Sequence, residues 1–292
     1  MQKPEWLTIP APDAQHMNSI RELLGKGELH SVCESAQCPN IGECFASRTC
    51  TFMILGDICT RNCAFCAVNH GKPNAPDPDE PVKLALTAKQ LGLKHIVVTS
   101  VTRDDLPDGG AGHFASTIAA IRKENPESTV EVLIPDFKGQ TDSLLKVIDA
   151  APEVINHNVE TVPRLYPTVR PAAKYEQSLE LLSNVSRINS KSKITTKSGL
   201  MLGLGEKKAE VVAVMKDLVE VGCSILTIGQ YLCPSPAHHP LIEYIHPDRF
   251  NEYAEIGTRL GFMEVVSGPL VRSSYHAEKS FRQLNSKCCG NH

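Results

Sequence analysis

Cys59, Cys63 and Cys66 stand at C-x3-C-x2-C spacing, directly after the apolar run Phe52-Met53-Ile54-Leu55-Gly56. A run that short, ending in Gly56 and Asp57, reads as a buried strand feeding a loop. Three thiols so close on one loop can converge on one metal centre. A structural zinc takes four protein ligands. No fourth Cys or His completes a usual zinc spacing here, although His70 lies nearby. An iron–sulfur cluster is normally held by four thiolates, so three on a four-iron cluster leave one iron open to a ligand that is not protein. That open iron would be the chemistry. A zinc site that borrows a remote ligand is the alternative.

A second trio precedes it. Cys33, Cys38 and Cys44 stand at C-x4-C-x5-C spacing, and Pro39, Asn40 and Gly42 mark loop rather than helix. A zinc knuckle, a set of buried free thiols and a second cluster all fit this spacing; beside the first trio the second cluster is the simpler reading. Cys50 fits neither spacing and reads as a small buried hydrophobe. Cys288 and Cys289 fall in a polar C-terminal stretch that reads as mobile, and they receive no role.

The elements that must position these residues alternate from residue 51 onward. Strand-like runs cover 51–55, 95–100, 129–134, 154–158, 194–202 and 225–229, with helix-like segments at 81–91, 112–124, 141–150, 175–189 and 207–221. Repeated βα units imply a parallel sheet. Six could form a complete or partial barrel, with the chemistry on the loops after the strands. A doubly wound sheet is the alternative, but no G-x-G-x-x-G follows a strand. Other strand ends are polar: Thr99 and Ser100 with Arg103 and Asp104, the Asn156–Thr161 stretch, the 198–206 stretch, and 230–235. Together they suggest a polar ligand above the Cys59 loop. His157 reads as an ordinary satisfied histidine. Arg164 and Arg170 read equally as solvated charges or as carboxylate or phosphate holders. Outside this core, a short helix is expected at 20–29 with Asn18 or Ser19 as cap, a helix at 247–260 and a strand at 263–266, and the 268–276 stretch reads as a surface turn. The resulting division is an extension over 1–50, a barrel over 51–247 and a second extension over 248–292.

Composition sets outer bounds. The chain has 292 residues and a formal net charge of -3, which suggests no nucleic-acid partner. No apolar run is long enough to span a membrane, and the first residues carry no export signal pattern. The expectation is a cytoplasmic protein. Its 11 cysteines are odd in number and tightly spaced, which in a reducing compartment points to metal or redox work rather than disulfides.

The first trio's spacing resembles that of the radical S-adenosylmethionine (SAM) enzymes, and the whole chain is similar to the lipoyl synthase family. The resemblance rests on Lys3-Pro4 with Trp6-Leu7, residues 32–45, residues 52–66, residues 199–206 and Arg272-Ser273-Ser274-Tyr275-His276. It implies an α/β fold, a partial (β/α)6-type radical SAM barrel with N- and C-terminal extensions. It implies that Cys59, Cys63 and Cys66 bind a [4Fe-4S] cluster that chelates and cleaves SAM. Cys33, Cys38 and Cys44 would bind an auxiliary [4Fe-4S] cluster, with Ser274 as its fourth ligand. Gly199, Gly203 and Glu206 would lie along SAM and Glu160 would contact its ribose; Thr99 and Ser100 join them as candidate cofactor contacts. The implied reaction puts sulfur on carbons 6 and 8 of an octanoyl chain linked to a carrier-protein lysine, using two SAM per lipoyl group and the auxiliary cluster as sulfur source. The implied partners are an octanoylated lipoyl-carrier protein (a 2-oxoacid dehydrogenase E2 lipoyl domain or the glycine cleavage H protein), a low-potential electron donor such as flavodoxin or ferredoxin, and an Fe–S cluster carrier. A biotin synthase-like enzyme and a non-enzymatic Fe–S electron carrier are the alternatives; the N-terminal trio with R-S-S-Y argues against the first.

Overall fold

The computed structural model describes residues 2–9, 13–47, 49–188 and 194–282. Cys288, Cys289 and residue 189, the end of one expected helix, lie outside the described residues. In chain order the elements are α1 (Ala14–Lys26), β1 (His30–Ser31), α2 (Val32–Ser35), α3 (Ile41–Ala46), β2 (Thr51–Ile54), α4 (Glu80–Leu91), β3 (His95–Ser100), α5 (Ala111–Glu124), β4 (Thr129–Leu133), α6 (Thr141–Asp149), β5 (Val154–Asn156), α7 (Tyr166–Val169), α8 (Tyr175–Ile188), β6 (Thr195–Leu202), α9 (Lys208–Glu220), β7 (Ile225–Gln230), α10 (Pro247–Leu260) and β8 (Glu264–Gly268). All strands join one sheet in sequence order. β2 through β8 run parallel, each beside its predecessor, and β1 pairs antiparallel with β2. This is a partial α/β barrel, and β8 extends it by one parallel strand beyond the six expected units.

Two local expectations are corrected. The first helix starts at Ala14 rather than residue 20, because Met17, Ile20 and Leu24 form one buried stripe and Met17 must be inside the helix. The loop expected through the second trio contains two short helices. Ser31 caps α2 by accepting from the Glu34 N–H, and Gly42 is tolerated inside α3. Pro39 sits between the two helices, where no N–H is needed.

Register shows what each sheet face does. Phe52, Ile54, Ile96, Val98, Val130, Val132 and Ile155 alternate onto the outer face and form a core with α1, α4, α5 and α6. Leu200, Leu202, Leu226 and Ile228 do the same against α8, α9 and α10. The inner face carries Thr51, His95, Thr99, Glu131, Asn156, Lys197 and Thr227 among the apolar Met53, Val97, Val154 and Ile225, so polar side chains are concentrated on it. Three of these form a buried ionic network. Lys197 Nζ donates to Glu131 Oε1 at 2.8 Å, and His95 Nε2 stands 3.3 Å from Glu131 Oε2. His95 Nδ1 meets Thr129 Oγ1 at 2.8 Å. Burial alone would raise the Glu131 pKa, but Lys197 and His95 outweigh it and hold the carboxyl well below its ordinary range.

Glu131→Gln leaves the Lys197 ammonium buried without its counter-charge and should cost about 3–5 kcal/mol. Denaturant unfolding measures this; a loss under about 1 kcal/mol would show that the pair contributes little there. A depressed folded pKa contributes stability at neutral pH that is lost on acidification. The wild-type chain should therefore lose this contribution as the pH falls below the ordinary value of 4.5, and Glu131→Gln should not.

Candidate cluster and cofactor site

The loop after β2 is pinned on every side. Leu55 and Gly56 turn the chain out of the strand with φ of +70 and +90. The Cys59 N–H donates to the Asn69 carbonyl at 2.8 Å and the Gly71 N–H to the Cys59 carbonyl at 2.9 Å, closing the loop on itself. Thr60 bonds the β3 loop through its N–H and hydroxyl, both to the Thr102 carbonyl, and accepts from the Asp104 N–H. On the far side the Ala64 N–H reaches the Val169 carbonyl. The His239 N–H reaches the Ala64 carbonyl, and His238 Nε2 donates to the Cys66 carbonyl at 3.1 Å. Arg61 lies between Cys59 and Cys63 with its side chain 7% exposed. Its guanidinium makes paired hydrogen bonds to Asp104 (2.7 and 3.0 Å) and to Asp136 (2.8 and 2.6 Å), from the loops after β3 and β4. Burial opposes that charge, but the two carboxylates outweigh it and raise the Arg61 pKa. The sequence held both partners at strand ends, but nothing in it paired them with Arg61.

Backbone donors already face the sulfurs. The Arg61 and Thr102 N–H groups each lie 3.4 Å from Cys59 Sγ. Burial raises the Cys66 thiol to about 12 against the Val68 N–H, and raises Cys63 against the nearby Arg170. Metal binding must therefore expel these protons.

The rim beyond the loop collects most of the other candidates. Glu160 takes a φ of +64, bridges to β6 through Gly199 and Met201, and accepts from Asn158 Nδ2 at 3.1 Å. Burial raises its pKa. Gly199 is required where it stands, since a Cβ would lie 2.6 Å from Asn158 Oδ1. Gly203, at φ +99, has its Cβ position against Gln230 Nε2 and the Glu243 carbonyl. Glu206 commits its carboxylate to the Gly203 and Leu204 N–H groups at 2.7 and 2.9 Å, so it shapes this loop. Thr99 is on the inner face and donates to the Leu133 carbonyl; alternation puts Ser100 on the opposite face. Several buried polar atoms here have no protein partner: Asn158 Oδ1, both amide atoms of Asn156, Ser100 Oγ and Arg170 Nε. Such atoms call for a ligand or water. His157 is satisfied by the Ile134 carbonyl and Ser178, as expected. Arg164 pairs with Glu210; Arg170 donates through Nη1 to the Asn158 and Val159 carbonyls, and its Nε stays without a protein partner.

The second trio is assembled from both ends of the chain. Cys33 on α2, Cys38 in the turn and Cys44 on α3 line a cavity of about 720 Å³ with Thr51, Arg272 and Ser274. Cys50 lines it too and is buried. The 270–276 stretch is not the surface turn expected. Asn40 Nδ2 donates to the Leu270 carbonyl at 2.7 Å, Thr51 Oγ1 donates to Ser274 Oγ at 2.8 Å, and the Tyr275 hydroxyl reaches Glu43 at 3.0 Å. Burial raises the thiols of Cys33 to about 11 and Cys44 to about 12. Among the described residues no three Cys, His, Asp or Glu side chains close on a single ion. Three thiols and one oxygen around a space this wide suit a multi-iron cluster.

The comparisons with known proteins decide the family. The Radical SAM superfamily model matches residues 53–218. The chain is 56% identical over 278 residues to the lipoyl synthase of Caldicellulosiruptor saccharolyticus, covering 95% of this chain and 97% of that one. The lipoyl synthase of Caldanaerobacter subterraneus subsp. tengcongensis is also 56% identical, with 95% and 96% covered. The chain belongs to the lipoyl synthase family. It is therefore a radical SAM enzyme, whose cofactors include SAM and a [4Fe-4S] cluster. Among solved structures, methylornithine synthase aligns over 93% of this chain and 92% of its own at TM-score 0.53 and 13% identity. The [FeFe]-hydrogenase maturase HydG aligns over 94% and 77% at TM-score 0.57 and 14% identity. These two share the fold with the lipoyl synthase chain.

Arg61→Gln would leave the Asp136 carboxylate, 1% exposed, without its cation and should destabilise the fold by about 3–5 kcal/mol. Arg61→Lys keeps the charge without the planar fork and should fall between. Denaturation midpoints check this. An unchanged midpoint in Arg61→Gln would show that the Thr60, His238 and His239 contacts suffice.

Proposed function

We propose that this chain inserts two sulfur atoms, at carbons 6 and 8, into an octanoyl group held in amide linkage on the lysine of a lipoyl-carrier protein. The observation that carries this reading is the cavity where Ser274 meets Cys33, Cys38 and Cys44. SAM cleavage by itself has no use for a second cluster site.

Cys59, Cys63 and Cys66 would hold the first [4Fe-4S] cluster and leave one iron for SAM. Cys33, Cys38, Cys44 and Ser274 would hold the second. The loaded first site supplies hydrogen-atom abstraction from an unactivated C–H bond, which no side-chain base can deprotonate. The chain's own residues do the rest. Glu160 and the Gly199–Gly203 stretch offer SAM an acceptor and close backbone approach. The Ser274 oxygen is a harder ligand than its three thiol neighbours and the poorer match for iron that must be given up. Residues 1–50 bring the second trio, 51–247 the SAM barrel and 248–292 Ser274. The substrate would be an octanoylated E2 lipoyl domain or glycine cleavage H protein. A flavodoxin or ferredoxin would be the reductant, a cluster carrier would rebuild the second site, and each lipoyl group would consume two SAM. Among the described residues no helix is long and apolar enough to cross a membrane.

The test loads the clusters with heavy sulfide and keeps light sulfide in the buffer. Heavy sulfur at both carbons after a single turnover is the expected result, and light sulfur would overturn the second cluster as donor. Cys33, Cys38 and Cys44 replaced together by Ala should end lipoyl formation and leave 5′-deoxyadenosine formation intact. The same replacement at Cys59, Cys63 and Cys66 should end both.

A further inference from the structure

The second cluster site contains a residue that touches two of its proposed ligands, from opposite ends of the chain. Thr51 opens β2 and is 4% exposed. Its register partner is Val97, and both line the cavity. Its hydroxyl donates to Ser274 Oγ at 2.8 Å. Its backbone N–H also faces the Cys33 thiol.

We propose that Thr51 is the positioning residue of the second cluster site, its hydroxyl holding the Ser274 oxygen toward the three thiols. This rests on the reading that Cys33, Cys38, Cys44 and Ser274 hold a cluster. Three features make Thr51 suited to the task. An oxygen that binds iron without its proton can only accept hydrogen bonds, so its orientation must come from a donor. Among the described hydrogen bonds, Thr51 is the donor to Ser274 Oγ. The donor is also fixed better than the acceptor. Thr51 is β-branched, stiff at χ1 and paired with Val97 in the β2–β3 ladder. The Ser274 segment belongs to no strand or helix and takes its place from side-chain contacts at Leu270, Ser273, Ser274 and Tyr275. Finally, Thr51 keeps its own proton when Ser274 gives up its hydroxyl proton: the hydrogen bond sets where the oxygen points, as groups behind metal ligands commonly do.

The test uses a background with Cys59, Cys63 and Cys66 replaced by Ala, so that the second cluster gives the iron signal by itself. The readout is the fraction of three-iron cluster by electron paramagnetic resonance and the rate of iron loss to a chelator. Thr51→Val should raise both several-fold, toward the values of Ser274→Ala, and Thr51→Ser should restore the parent values. Far-UV circular dichroism confirms that each variant is folded, and the Ser variant provides the rescue that a packing defect would not show. If Ser274→Ala raises the three-iron fraction and Thr51→Val leaves it at the parent level, Thr51 does not position the ligand. If Ser274→Ala has no effect, or Cys33, Cys38 and Cys44 can be replaced without losing this cluster, the ligand reading itself is wrong and the proposal falls with it.

Discussion

The Arg61 guanidinium, buried between Asp104 and Asp136, is the interaction on which the SAM site depends. It sits inside the cysteine motif, so whatever holds Arg61 holds Cys59 and Cys63. A three-thiol loop has little reason of its own to keep one shape, and ordering a residue's backbone costs about 1–2 kcal/mol. Here that ordering is built into the apo fold through paired charge-assisted hydrogen bonds to two successive strand-end loops. The charge balance also matters. Asp104 and Asp136 enclose the Arg61 charge and Arg170 lies near Cys63, while burial raises the pKa of the Cys63 and Cys66 thiols. Assembly must exchange those protons for metal, and the donors at Cys59 Sγ already face the sulfur that results.

β2 then fixes the relation between the two sites. Thr51 opens the strand beside the second trio, and the Cys59 loop leaves its other end. From Thr51 to Ile54 the strand advances about 10 Å at ~3.3 Å per residue. A buried strand with partners on both edges does not stretch, so it acts as a ruler. The inner face of the barrel that it belongs to gathers buried polar side chains among apolar ones, while the outer face packs into helices. The Lys197–Glu131 pair sits on that inner face and spans β4 and β6.

Much of this was legible from residues alone. The two trios, the alternation of strands and helices, and the polar strand ends all follow from spacing and period, and the strands fall within a residue or two of the expected bounds. β5 ends at Asn156 rather than residue 158 because the chain leaves the ladder to seat His157, Asn158 and the strained Glu160. What could not be read is whatever joins distant positions. Asn40 meets Leu270 and Thr51 meets Ser274 across more than 200 residues, and no local pattern encodes such pairs. Arg61 and Asp136 are the same case at shorter range. Glu206 is a different case: the resemblance implies a place along SAM, and in the structure backbone donors in its own loop take the carboxylate. Proline and glycine in the second trio concealed α2 and α3, which are too short for periodicity to reveal.

The two sites differ most in how firmly the protein grips them. Breaking the Arg61 clamp strands a buried charge, a loss of about 3–5 kcal/mol. The segment that presents Ser274 is fastened by hydrogen bonds at Leu270, Ser273, Ser274 and Tyr275, each worth about 1 kcal/mol net, and by the buried Val271; the Tyr275 bond lies at an exposed surface. Arg272 beside it is half-buried, with its pKa lowered by burial. The β7–β8 ladder ends at Gly268, so this segment lies outside the parallel pairing of the sheet. A ligand set kept through every turnover calls for the first kind of hold. A ligand set taken apart and rebuilt, as proposed for the second trio, would call for the second, and the Ser274 oxygen would be the ligand that releases iron with the least change in the rest of the fold.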